Sequence, residues 1–428
     1  MKTLGRKVAI VGGARIPFAR SNTAYATASN KTMLTAALRG VVDRFQLHGE
    51  AVGEVAAGAV LKHSRDFNLC RESVLSSGLS AATPAYDLQM ACGTGLQAAI
   101  NIANKIALGQ IESGIAGGVD TTSDAPIEVG DKLRQLLLEL NRAKTGAQRL
   151  QAALKFRPSW LAPNIPSNGE PRTRLSMGQH CELMAKEWKI SREEQDQLAF
   201  ESHMKAAAAY ESGFYADLIV PFNGLSRDNN LRADTSLDKL ATLKPVFDRK
   251  AGTLTAANST PLTDGASAVL LASEDWCKAR GIKPSAWLVT GETAAVDFAP
   301  VAPGKEGLLM APAYAVPRML GRLGLKLQDF DFYEIHEAFA AQVLCTLKAW
   351  EDPGFCKNRL GLDRPLGAID RSRMNLKGGS VALGHPFAAT GGRILATLAK
   401  IVEENGGGRG LISVCAAGGL GVTAVVEG

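Results

Sequence analysis

Asp87-Leu88-Gln89-Met90-Ala91-Cys92-Gly93-Thr94-Gly95-Leu96-Gln97-Ala98-Ala99 carries an apolar run into a patch of small residues that opens a helix-like stretch. An apolar run handing over to a helix-like stretch is the kind of alternation that layered α/β folds repeat. Cys92 sits at the handover. Its sulfur is expected near the positive end of a helix dipole with little bulk around it, which lowers a thiol pKa and leaves room for a substrate carbonyl. Free cysteine is also a common packing residue. The weight of the reading therefore rests on what the rest of the chain adds.

The same alternation continues on both sides. Strands are expected at 8–11, 54–60 and 113–118, with helical apolar spacing at 32–45 and 95–108 between them. The last third repeats the scheme, with strands at 286–293, 330–335 and 410–415 and helices at 311–323, 338–350 and 390–404. Two βα-rich halves suggest an internal duplication, and the alternation predicts a largely parallel sheet. The middle differs: it carries many charges, several prolines and one long helical stretch at 191–213, and the tract from Pro158 to Gly169 reads as loop. Small-residue, sheet-like composition returns at 265–272. Residues 1–123 and 251–280 thus form a discontinuous N-terminal half, 124–250 an insertion, and 281–428 a C-terminal half.

The chain has 428 residues, 46% hydrophobic and 21% charged, ordinary values for a globular protein with a sizeable core. A net charge of +6 gives no footprint for nucleic acid. Seven scattered cysteines without a Cys-x-x-Cys pair suggest reduced thiols in a cytoplasmic setting. The apolar run after Met1–Lys7 is too short for a signal segment and reads as the first strand.

Three further segments share the character of the Cys92 region: Glu334-Ile335-His336-Glu337-Ala338-Phe339-Ala340, Gly378-Gly379-Ser380-Val381-Ala382-Leu383-Gly384-His385-Pro386, and Ser413-Val414-Cys415-Ala416-Ala417-Gly418-Gly419-Leu420-Gly421. Each puts a titratable side chain beside a strand end or in a glycine-rich turn, and two of only six histidines fall there. Jointly the four segments closely resemble the thiolase superfamily, along essentially the whole chain. The resemblance implies a duplicated five-layer α/β/α/β/α core with a loop domain inserted in the first half.

By that resemblance Cys92 is the nucleophile, His385 of the Gly-His-Pro motif accepts its proton, and Cys415 is the second thiol that exchanges a proton with the α-carbon. Cleaving a 3-oxoacyl thioester needs both thiols: one sulfur holds the acyl group, and another acid protonates the enolate leaving group. One oxyanion hole is implied at His385, with a water held by the first residue of the Asn-Glu-Ala-Phe motif. The other lies at backbone N–H groups near Cys92 and Ala417. The chain departs from the pattern where His336 replaces the usual asparagine and where Ala417 stands at a position that is often glycine. The histidine form resembles the thiolase subunit of fatty-acid β-oxidation multienzyme complexes, which act on medium- and long-chain 3-ketoacyl-CoA. Coenzyme A is then a co-substrate, with no permanently bound cofactor. Ser259 and Met177 match segments beside the pantetheine arm and the acyl end. A helical His-Glu-x-x-His metal site is excluded, since the second histidine's place is taken by Ala340.

Within the insertion, residues 131–160 hold seven basic and two acidic residues, with Leu133, Leu136, Leu137 and Leu140 at helical spacing. Such a basic amphipathic pair suits an anionic membrane surface; packing on the core or a partner is the alternative. The resemblance implies a homodimeric core and an α₂β₂ assembly with an enoyl-CoA hydratase/3-hydroxyacyl-CoA dehydrogenase subunit. Three rival functions differ in what they need. A short-chain acetoacetyl-CoA thiolase running the Claisen condensation resembles the asparagine form. A carrier-protein ketosynthase lacks a second thiol like Cys415. A non-catalytic lipid-binding relative needs none of the reactive groups.

Overall fold

The computed structural model describes residues 5–302 and 304–428; Met1 to Leu4, the front of the lead into the first strand, lie outside the described residues. Strands β1 (Val8–Arg15), β2 (Glu54–Ala57), β3 (Ala85–Asp87), β4 (Ser113–Asp120) and β5 (Thr263–Ser273) make one half of a continuous sheet. The other half holds β6 (Ala286–Ala295), β7 (Phe332–Ile335), β8 (Arg409–Ala416) and β9 (Leu420–Glu427). Beyond β7, Met374 pairs in parallel with Tyr333 and stands where a further strand would lie. The order across the sheet is β3-β2-β4-β5-β1, then β6-β9-β8-β7.

Counted by chain order from each outer edge, both halves read third, second, fourth, fifth, first, with Met374 taking third place in the second half. The duplication suspected from the sequence is therefore present in the topology. The two halves join where Ala9 pairs with Trp287 and Ile10 with Ala286.

The sheet is mixed, not largely parallel. β2 runs parallel to β3 and β4, and β7 to β8. β5 is antiparallel to β4 and β1, and β9 is antiparallel to β8 and β6. A local cause is visible in the second half: Gly418 and Gly419, at φ of 78° and 71°, fold β8 straight back into β9. Such a tight connection permits only antiparallel pairing.

Helix α1 (Asn30–Arg44) covers the outer face of the first half-sheet, and α2 (Thr94–Ala107) lies between the halves. The connection from β4 to β5 carries α3 (Asp131–Arg142), α4 (Gly146–Ala153), α5 (Met177–Glu187) and α6 (Arg192–Glu211). In the second half, α7 (Pro312–Leu323) packs on β6 and β9 with α8 (Ala340–Glu351) beside it, and α9 (Thr390–Glu404) joins α2 in the central layer. Helix, sheet, helix pair, sheet, helix gives the five layers. α2 and α9 are buried along most of their length, and each keeps one polar stripe at helical spacing, Gln97, Asn101 and Asn104 on α2 and Arg393, Thr397, Lys400 and Glu404 on α9. They cross closely: a side chain on Gly95 would meet the Ala388 carbonyl at 2.7 Å, and one on Gly391 would strike the Leu96 backbone nitrogen.

Candidate active site

Cys92 sits in a tight turn between β3 and α2. Ala91 adopts φ of 45°, a left-handed conformation rare for a residue with a side chain. Thr94 holds the turn: its hydroxyl donates to the Ala91 carbonyl at 2.7 Å and accepts from the Met90 N–H at 2.9 Å.

His385 comes to Cys92 from the far half. Its Nε2 lies 3.1 Å from Cys92 Sγ and its Nδ1 2.6 Å from the Thr390 hydroxyl, at the first turn of α9. The His385 backbone N–H donates to Thr263 Oγ1 at 2.7 Å. Asp120, at the end of β4, fixes the following turn. Its carboxylate accepts from the Ala388 N–H at 2.9 Å and from the N–H groups of Val60 and Leu61 at 2.9 and 2.8 Å. Burial pushes the Asp120 carboxyl up to about 8, against those three donors, which favour the charged form.

His336 and Glu337 follow β7 and point to different tasks. Glu337 is a clamp: it accepts from Ser202 Oγ at 2.7 Å, Asn375 Nδ2 at 2.6 Å and the Val381 N–H at 3.2 Å. The carboxylate fills the space that a side chain on Gly379 would need. His336 faces His385, with ring centroids 4.2 Å apart. Its Nδ1 lies 2.9 Å from Ser380 Oγ, and Arg393 Nη2 donates to the same oxygen, also at 2.9 Å. Arg393 has only donors. With Ser380 accepting from Arg393, the serine proton is free for His336 Nδ1, an arrangement that puts the ring's own proton on Nε2. That Nε2 is buried and has no partner among the described residues.

The electrostatics differ from the sequence expectation at Cys92. A helix start was expected to lower its pKa. Instead burial pushes the thiol up to about 12, with the Ala417 N–H pulling the other way, the Asp120 charge adding to the rise, and the cysteine's own N–H opposing it. Although the residue as a whole is only half-buried, its sulfur faces inward, and desolvation outweighs the helix end. Burial and the Arg393 charge hold His385 down at about 3. Burial, His385 and Arg393 keep His336 well below the ordinary histidine value. Cys415, buried in β8, is raised well above 9 by burial and by the Cys92 sulfur nearby. Cys92, His385, His336 and Cys415 are thus all held toward their neutral forms. Among the described residues, Cys92, His336 and His385 also bring their ligating atoms within 4.8 Å of one another.

The two weaker candidates stand further out. Ser259 bridges to Phe339, beside the His336 loop, and its buried hydroxyl has no partner among the described residues. Its neighbour Asn258 is structural, bonded to Asp196, Thr253 and Thr255. Met177 opens α5 behind the Ser176 cap and is half-buried in the core of the second half. Asp120, Ser380, Thr390 and Arg393 went unread in the sequence. Only Arg393 left a signal, as the lone charge among the first ten residues of the helix.

Comparison with known proteins agrees with the fold. The family description "Thiolase, N-terminal domain" matches residues 8–275, and "Thiolase, C-terminal domain" matches 289–428. A 3-ketoacyl-CoA thiolase of Shewanella loihica is 42% identical over 99% of this chain and 97% of its own. One from Photorhabdus laumondii is 43% identical with the same coverage. The crystal structure of the Bacillus anthracis acetyl-CoA acetyltransferase superposes with a TM-score of 0.82 at 29% identity, covering 99% of both chains. With both halves matched, the chain belongs to the thiolase family.

Proposed function

We propose that the protein is a 3-ketoacyl-CoA thiolase of fatty-acid β-oxidation, cleaving medium- and long-chain 3-ketoacyl-CoA with coenzyme A into acetyl-CoA and a shortened acyl-CoA. The observation that carries this is Cys92 Sγ at 3.1 Å from His385 Nε2, with the buried Cys415 thiol alongside. The full-length relatives named for that reaction support it.

In the proposed sequence Cys92 Sγ attacks the C3 carbonyl while His385 Nε2 takes its proton, with Nδ1–H donating to Thr390. The N–H groups of Cys92 and Ala417 on one side, and His336 Nε2–H on the other, supply donors where oxyanions develop. The C2–C3 bond breaks, and the Cys415 thiol protonates C2 of the departing enolate as acetyl-CoA leaves. Incoming coenzyme A gives its thiol proton to Cys415 and attacks the acyl-Cys92 thioester. Cys92 then recovers its proton from His385, and both groups return to their resting state. Ser259 and Met177 are assigned to the pantetheine arm and the acyl end.

The same reading assigns residues 1–123 with 251–280, and 281–428, to two catalytic halves, and 124–250 to an inserted domain. It pairs a homodimer of this chain with a hydratase/dehydrogenase subunit in an α₂β₂ complex, in a reducing cytoplasmic compartment. Peripheral membrane contact falls to the α3–α4 hairpin, whose two helices pack mainly on each other. No described helix is long and apolar enough to cross a membrane.

Steady-state thiolysis of 3-ketohexadecanoyl-CoA against acetoacetyl-CoA tests the assignment. A preference for the long substrate, abolished in Cys92→Ala, is expected. A preference for acetoacetyl-CoA would move the chain to the short-chain class, and no turnover of either would leave only a binding role.

A further inference from the structure

We propose that Cys92, His336 and His385 form a three-ligand site for a soft divalent cation, zinc above all, and that its occupation blocks the nucleophile. The three ligating atoms lie within 4.8 Å of one another, and Cys92 Sγ is already 3.1 Å from His385 Nε2. Zinc takes sulfur at ~2.3 Å and imidazole nitrogen at ~2.0–2.1 Å in a tetrahedron, so its ligand atoms stand roughly 3.3–3.6 Å apart. Side-chain shifts of about an ångström suffice.

Both imidazoles are anchored at the other nitrogen. Thr390 holds His385 Nδ1 at 2.6 Å, and Ser380 holds His336 Nδ1 at 2.9 Å. Outer-shell hydroxyls of this kind orient metal-binding histidines. The nitrogens left for a cation are the two Nε2 atoms, and that of His336 is buried without a partner among the described residues. Three protein ligands leave a fourth position for water or a thiol, the arrangement of an open zinc site.

The protons balance. Cys92 releases its thiol proton to solvent. His336 moves its proton from Nε2 to Nδ1 and donates it to Ser380 Oγ, whose second lone pair still accepts from Arg393. Asparagine in place of His336 would leave two ligands, so the site is particular to the histidine form of the motif.

The inference rests on geometry and is read without turnover. Full-length, chelator-stripped protein is titrated with Co²⁺, a spectroscopic stand-in for zinc, and with Zn²⁺ against a chromophoric chelator. One equivalent should bind, with a near-ultraviolet sulfur-to-cobalt charge-transfer band and tetrahedral visible bands. The isosteric Cys92→Ser should remove the charge-transfer band. His336→Asn should weaken Zn²⁺ binding by more than about 100-fold, beyond the usual effect of an outer-shell change. Cys415→Ser should bind as the parent does. Circular dichroism checks that each variant is folded. Absence of the charge-transfer band, or Zn²⁺ affinity unchanged in a folded His336→Asn, overturns the site. Thiolysis assays on the same samples keep the two conclusions apart, since an inactive protein that binds Co²⁺ through Cys92 contradicts only the proposed reaction.

Discussion

With the Cys92 thiol held near 12 and the His385 imidazole near 3, the two rest as a neutral pair. A raised thiol pKa means that the thiolate fraction grows about tenfold per pH unit up to that pKa. Iodoacetamide labelling of Cys92, followed by mass spectrometry, should therefore climb steadily from pH 6 to 9. A plateau near pH 6 would instead reveal a standing thiolate–imidazolium pair. His336→Ala should lower kcat by roughly 10²–10³ with little change in KM, as removal of an oxyanion donor does. Ser380→Ala, which frees the His336 tautomer, loses a hydrogen bond worth about 1–1.5 kcal/mol, so a kcat roughly tenfold lower is expected. An unchanged kcat in Ser380→Ala would show that the serine does not set the tautomer. The thiols and imidazoles that the fold brings together were legible in the sequence because cysteine and histidine beside glycine-rich turns are scarce. The residues that orient them were not, because Ser380, Thr390 and Asp120 are ordinary residue types whose roles arise only when distant segments meet.

Among the elements, legibility followed periodicity. The helix expected at 390–404 is the observed α9 from Thr390 to Glu404, since a long apolar pattern fixes both ends. β3 was missed at three residues, too short to show alternation, and β9 was masked by the glycines that lead into it. The two-residue ladder of Pro163–Asn164 with Glu128–Val129 fell inside a tract read as loop. The crossing of α2 and α9 belongs to the same class of hidden feature. It depends on the absence of a side chain at Gly391, and a methyl there would strike α2 backbone. Gly391→Ala should destabilise the protein by about 1–3 kcal/mol, the range for an overpacked core, and lower the thermal midpoint. A midpoint equal to the parent's would show that the two helices can separate without penalty.

For the molecule as a whole, the exposed apolar surface is concentrated in the insertion. Leu150 is 64% exposed, Leu154 78%, Leu161 64% and Ile165 70%, interspersed with lysines and arginines. Leu136 is buried, while Leu137 and its neighbour Leu138 are exposed, so the α3 stripe is only partly covered within the chain. Such a basic, apolar face should bind anionic vesicles at low salt and release them as salt screens the charge. Co-sedimentation with phosphatidylserine vesicles, against a variant with Leu150, Leu154 and Leu161 changed to serine, checks this; equal sedimentation of both would exclude the hairpin as the contact.

Thr94-Gly95 and Thr390-Gly391 occupy the same place in the two halves. Each pair opens the central helix that follows the third strand position, and each threonine hydroxyl ties down the turn ahead of it. One turn carries the sulfur, the other the imidazole. An ancestor of a single half, docked on a copy of itself across the same seam, would have set two identical turns face to face. With both halves in one chain, each turn is free to carry a different group, so that acid–base and nucleophilic labour can be divided between them without any new architecture.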